Sequence, residues 1–248
     1  MTFGPQTLFA GLGVLFAGVV KGGAGFGFPL IATPIVASVT DARTAVVITI
    51  LPNIVLDVLQ VRRGRPDRAW WRRFRWLLMC GSLGVIVGSV LLTMLRTAVL
   101  SALLGSVAVA FVLYNLSPFR LSIPPEREAG LIPASGFLGG MLGGLTNAMG
   151  LPVAILLGSL GLEKREFVRT ISAYFLATKV IQLGSVTVLN LMSLRALGLS
   201  SLFVLPSLVG LAVGFRIQDQ LSGRTFRYSV YAVIGASGLS LLARAVAG

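Results

Sequence analysis

Gly143-Gly144-Leu145-Thr146-Asn147-Ala148-Met149-Gly150-Leu151-Pro152 lies near the centre of residues 129–162, an unbroken run of 34 residues without a charged side chain. As one helix the run would be about 51 Å long, far more than the roughly 30 Å of a hydrocarbon core. It is too long for one crossing and too short for two with a turn between. The glycines and proline at its middle suggest an answer: two half-helices joined by an unwound stretch.

A second stretch of this kind stands near the N-terminus. Lys21-Gly22-Gly23-Ala24-Gly25-Phe26-Gly27-Phe28-Pro29 interrupts residues 1–40, where Lys21 is the one charged side chain. Phe16-Ala17-Gly18 aligns with Phe137-Leu138-Gly139, Gly22-Gly23 with Gly143-Gly144, and Gly27-Phe28-Pro29 with Gly150-Leu151-Pro152. Further along, Thr49 meets Ser172, and Gly84/Gly88 share their spacing with Gly210/Gly214. The order of these matches predicts an internal repeat, with a first half at 1–116, a Pro- and charge-rich linker at 117–129 and a second half at 130–248. Repeats of this kind build many secondary transporters, with the ligand site between them.

Outward from the two breaks the chain stays apolar. Residues 76–95, 97–119 and 196–215 also lack charge, and only 12% of all residues are charged, about half the share of a soluble domain. Continuous rather than alternating runs exclude a β-barrel. The expected fold is an all-α polytopic membrane bundle of eight hydrophobic elements, at about 6–38 (broken), 44–60, 76–95, 97–116, 130–161 (broken), 168–189, 196–215 and 228–245. No cleavable leader is expected, because residues 1–20 lack a basic start and run on into the first span.

The net charge is +13. No hydrophilic stretch is long enough to fold as a nucleic-acid-binding domain, so the basic excess reads as cytoplasmic loop bias. Residues 61–75, rich in Arg and Trp, are expected to meet anionic headgroups of the bilayer. Basic residues at 164–169 and 216–227 fall on the other face if all eight elements simply span, so loop charge leaves orientation open. A re-entrant first element in either half would change the count.

Unwound backbone at membrane depth is tolerated where it is buried in protein or lines a wet cavity. Free N–H groups at half-helix N-termini favour a negative ligand, and glycine allows it close approach. Gly22, Gly23, Gly25, Gly27, Asn147 and Gly150 are therefore candidate substrate-binding positions. The competing role for glycine is tight helix packing, which is preferred for Gly84/Gly88, Gly136/Gly140 and Gly210/Gly214. Charge inside a span points to function. Lys21 and Lys179 are candidate anion ligands, and Asp57 is a candidate coupling or ion-pair residue, partnered either by Lys179 or by Arg62 or Arg63. Asn53, Gln60, Thr146, Thr178 and Gln182 could complete the site.

Histidine is absent, Cys80 is the single cysteine, and no His/Asp/Glu cluster or activated nucleophile is evident. No cofactor, metal site or catalytic residue is expected, and the chain is not read as an enzyme. With Asp57 as the sole mid-span carboxylate, a proton relay is not expected. Export of an anion from a negative interior gains about 2.3 kcal/mol per charge per 100 mV, and could run on that potential alone.

Gly18-Val19-Val20-Lys21-Gly22-Gly23-Ala24-Gly25-Phe26-Gly27-Phe28-Pro29-Leu30, residues 136–152 and the two-half layout resemble the TauE/SafE family of sulfite and organosulfonate exporters. Where that family carries a Gly-Gly-Gly run, this chain has Gly25-Phe26-Gly27 and Asn147-Ala148-Met149-Gly150. The resemblance covers nearly the whole chain and implies a carrier of small sulfur-containing or carboxylate anions. The expected function is export of a small anion, sulfite or an organosulfonate, across a bacterial inner membrane. A structural membrane protein without transport and an anion channel stay open as alternatives, as does a homodimer.

Overall fold

In the computed structural model, residues 4–62, 68–117, 123–216 and 224–247 are described, and every regular element among them is a helix. The first half holds α1 (Pro5–Ala24), α2 (Phe28–Val39), α3 (Ala42–Ile48), α4 (Ile50–Val61), α5 (Arg68–Met94) and α6 (Thr97–Leu116). The second holds α7 (Pro125–Thr146), α8 (Gly150–Ser159), α9 (Lys164–Val188), α10 (Leu194–Arg216) and α11 (Arg224–Ala247). Among the described residues, seven segments are long and apolar enough to cross a membrane, with α3 and α4 together forming one of them. This is a multi-pass helical membrane protein.

Local sequence accounts for the ends. The Asp41 side chain caps α3 by accepting the Thr44 N–H at 3.0 Å, satisfying one of the donors left over at a helix start. Pro125 occupies the first turn of α7, where a missing N–H costs nothing. This starts α7 inside the predicted linker, of which 118–122 lie outside the described residues. Likewise α5 begins at Arg68, eight residues before its expected start. Arginine is a good helix former, and Trp70, Phe74 and Leu77 recur on one buried face. Trp70 therefore points inward, its Nε1 donating to Thr170 Oγ1 at 2.8 Å, while Trp71 and Trp76 stay exposed. Residues 63–67 of the basic segment lie outside the described residues.

The two breaks are sharper than half-helices in line. Gly13 of α1 packs on Ile35 of α2, and Gly139 of α7 packs on Val153 of α8. Residues twelve before Gly25 and eight after Gly27 thus touch, so each break is the tip of a helical hairpin, and α2 and α8 run back toward the face their partners came from. Gly25 (φ 85°), Gly27 (φ 101°) and Asn147 (φ 61°) make the reversals in the left-handed region, which glycine and asparagine tolerate best.

The hairpins settle the charge pattern. With α2 and α8 returning, α4, α6, α8 and α10 end on the face where α5, α7, α9 and α11 begin. The Arg73–Glu128 ion pair (2.7 Å) joins α5 to α7 on this face, and the Tyr231 hydroxyl reaches Asn115 Oδ1 of α6 at 3.4 Å. Arg62, Arg68, Arg72, Arg73, Arg75, Arg127, Lys164, Arg165, Arg169 and Arg216 all belong to this face. Helix ends at the other carry Arg43, Arg96, Arg195 and Arg244. The conflict between basic loops disappears once two elements are hairpins. A further consequence is that α1 starts on the sparsely charged face and α7 on the basic one, so the second half crosses in the reverse sense.

Glycine governs the tightest helix crossings. A Cβ on Gly18 would meet the Ser207 carbonyl oxygen of α10, and Gly22 lies on Leu211 and Gly214. On the other side Gly84 and Gly88 of α5 lie on the α7 backbone at Phe137 and Met141. Close backbone approach supplies the dispersion contacts that associate helices where lipid removes the hydrophobic drive.

Candidate functional site

Charged and amide side chains gather between the two hairpin tips, closed to solvent. Lys21 stands in the last turn of α1, four residues before Gly25, and is fully buried. Its ammonium donates to Asp57 Oδ1 at 2.5 Å and to Asn53 Oδ1 at 2.9 Å. Asn53 and Asp57 are one turn apart on α4 and so share a face. The Phe175 ring of α9 lies 5.6 Å from the Lys21 ammonium and covers it. Asp57 therefore pairs with Lys21, and not with Lys179 or Arg62; Arg63 is outside the described residues.

Lys179 sits 15 residues, about 22 Å, along α9. Its ammonium donates to Asn147 Oδ1 and, at 2.5 Å, to Gln182 Oε1. Asn147 ends α7, and its Nδ2 donates to the Val46 carbonyl at 2.8 Å and to Thr49 Oγ1 at 2.7 Å. Lys179 has no carboxylate against it, yet it lies within Coulombic range of both Asp57 and Lys21. Among the described residues, Asp57 is the one carboxylate in range of either lysine.

Both halves use glutamine in the same way. Gln60 Nε2 donates to the Lys21 carbonyl at 3.1 Å, and Gln182 Nε2 to the Gly143 carbonyl at 3.1 Å. Each gives a second donor to a carbonyl in the last turn of a hairpin's first helix that already accepts the N–H four residues on. Ser172 Oγ donates to Gln60 Oε1 at 3.2 Å, tying α9 to this arrangement.

The tips lie at different depths. Phe26 meets the Phe167 ring, and Gly25 packs on Val168, both in the first turns of α9 near the basic face. Asn147 instead reaches α3, near the opposite face. The Gly25 N–H bonds the Lys21 carbonyl (2.8 Å), and the Asn147 N–H bonds the Gly143 carbonyl (2.8 Å). Those two amides close helix C-termini. Gly22 is packed on α10, Gly23 is buried in α1, and Gly27 and Gly150 stand where α2 and α8 begin.

Lys21 and Asp57 are thus brought together, as are Lys179 and Asn147. Thr33 and Thr49, which meet at 3.2 Å and hold Asn147, carried no signal as site residues. A small hydroxyl inside an apolar run reads equally as a helix-bonded side chain, and Phe175 reads as core.

A cavity of about 370 Å³ opens on the sparsely charged face, with Thr40, Asp41, Thr44, Leu191, Ser193 and Arg195 in its wall. Leu191 and Ala196 belong both to that wall and to an apolar cluster with Val47, Ile50 and Val186. Val186 is one turn beyond Gln182, and Val47 and Ile50 flank Thr49. The cluster therefore separates the cavity from Lys179 and Asn147.

Two re-entrant hairpins around buried, charged side chains are features of the membrane transporter class rather than of a purely packed bundle. Residues 10–241 match the family described as sulfite exporter TauE/SafE, and the chain belongs to it. No curated protein and no solved structure matches the chain.

Proposed function

We propose that this protein exports a small sulfur oxyanion, sulfite or an organosulfonate, across the cell membrane of a bacterium. The observation that carries the reading is the count of buried ionisable side chains: among the described residues two lysines, Lys21 and Lys179, are buried with one carboxylate, Asp57. Burying an uncompensated charge is costly, so a site with one positive charge in excess is improved by a monoanion. Lys179 and Asn147 on one side and Lys21 on the other contact the anion. Asp57 holds Lys21 in place, and Gly22, Gly23, Gly25, Gly27 and Gly150 let the hairpins fold tightly around it. The two halves act as inverted repeats, and the exposed Arg68, Arg72 and Arg75 meet anionic headgroups.

The basic face is cytoplasmic by the positive-inside bias, so export runs toward the cavity beside Arg195, with the Val47–Ile50–Val186 cluster as the barrier crossed on the way out. The membrane potential drives this movement by about 2.3 kcal/mol per charge per 100 mV. Proteoliposomes loaded with sulfite test it directly. Efflux should accelerate when an interior-negative potential is imposed, and Lys179→Gln should lose most of the flux. A flux indifferent to potential would remove the electrogenic mechanism, and a fully active Lys179→Gln would remove the site.

A further inference from the structure

Two atoms at the centre of the site have no partner. Asn53 Nδ2 and Asp57 Oδ2 are buried and make no hydrogen bond, although both side chains are fully enclosed. A buried polar atom left unpaired costs about 1–3 kcal/mol, so a pair of them on adjacent turns of one helix needs an explanation. Their chemistry is complementary rather than repeated. An ammonium has only donors, so Lys21 must face the oxygen of Asn53, which leaves the NH₂ as the spare group. Asp57 uses one oxygen on Lys21 and leaves the other as a spare acceptor. Each lysine has three N–H donors and spends two of them, Lys21 on Asn53 and Asp57, Lys179 on Asn147 and Gln182.

The unspent groups are therefore three donor groups, the Asn53 NH₂ with its two N–H and one N–H on each lysine, and one acceptor oxygen. A sulfonate or a fully ionised sulfite carries acceptors alone and would set an oxygen against the free Asp57 oxygen. A hydrogen-bearing oxyanion fits: its bare oxygens take the Asn53 and lysine N–H groups, and its O–H points at Asp57. The charge balance agrees independently. Among the described residues, Lys21 from α1 and Lys179 from α9 are the ionisable groups that act on Asp57, and with both lysines charged a monoanion brings the set to neutrality where a dianion overshoots. The geometry points to an oxyanion bound as its protonated monoanion, of the hydrogensulfite type, with Asp57 reading the hydroxyl and rejecting sulfonates.

This inference rests on the anion-carrier reading and narrows its substrate class. The test uses the purified full-length protein and two probes of nearly equal shape and equal charge. Methylphosphonate, at a mildly acidic pH where it is the hydrogen-bearing monoanion, has one O–H that methanesulfonate lacks. Ligand-dependent shifts in unfolding temperature give the two affinities. Methylphosphonate should bind at least about tenfold more tightly, the scale of one hydrogen bond to a charged group, and Asp57→Asn should erase the preference. In the wild type, the response to sulfite should also fall as pH rises through loss of the hydrogensulfite proton, while that to methanesulfonate stays flat. This arm does not depend on how well the variant folds. Equal responses to both probes, both abolished in Lys179→Gln, would overturn the hydroxyl reading and leave the anion site standing, with water on the spare atoms. No response to either probe or to sulfite would overturn both.

Discussion

The Lys21 ammonium and the Asp57 carboxylate lie 2.5 Å apart, and neither side chain is exposed. They come from the last turn of α1 and the last third of the span Ala42–Val61, so the pair closes the first half on itself. Removing one partner strands the other in a dry interior, whereas removing both does not. Lys21→Met or Asp57→Leu alone should cost about 3–5 kcal/mol, and the double variant should recover most of it. Denaturation of the three variants in detergent checks this, and additive losses would count against a direct pair.

Lys179 is held only by neutral acceptors, and the opposite response is expected of it. Lys179→Met removes a buried charge that no carboxylate touches, so the empty protein should be at least as stable as the wild type. The same change should abolish stabilisation by sulfite, which at a hundredfold excess over Kd amounts to about 2.7 kcal/mol. Thermal unfolding with and without sulfite separates the two effects.

At the helix crossings, space decides the outcome. Gly84 and Gly210 have a neighbouring helix backbone where a side chain would go. Their valine variants should lose about 2 kcal/mol or more, since no flexible side chain can yield. Gly184 has nothing within 4 Å, and Gly184→Ala should be neutral or stabilising by up to about 1 kcal/mol. Melting temperatures of the set are the measurement.

Orientation is open to chemical labelling because Cys80 can be replaced first. In a Cys80→Ser background, a cysteine introduced at Ser193 should react with an impermeant maleimide on intact cells. One introduced at Arg165 should react only after the membrane is opened. The reverse pattern would place the basic face outside and reverse the export direction.

The spans were legible because charge-free runs of membrane length admit one physical interpretation. The breaks were legible too, since glycine and proline inside such runs cannot continue a helix unchanged. Their geometry was not: Gly25-Phe26-Gly27 suits a kink as well as a reversal, and the choice depends on Gly13 finding Ile35. Pairing was hidden for a similar reason. Asp57 and Lys179 occupy matching stretches, which suggested partnership, but the hairpin carries Lys21 across to α4 first. Asn147 stood out as a polar residue in a break, whereas Thr33 and Thr49 acquire a role only when the α7 tip meets them.

The return helices are short, with 12 residues in α2 and 10 in α8, or about 18 and 15 Å. Neither can cross a 30 Å core, so neither has a settled place in lipid when it leaves the ribosome. The first hairpin comes to rest against Phe167 and Val168, residues synthesised some 140 positions later, and must wait for them. The second finds α3 already made. Alike in shape, the two hairpins mature at opposite ends of translation.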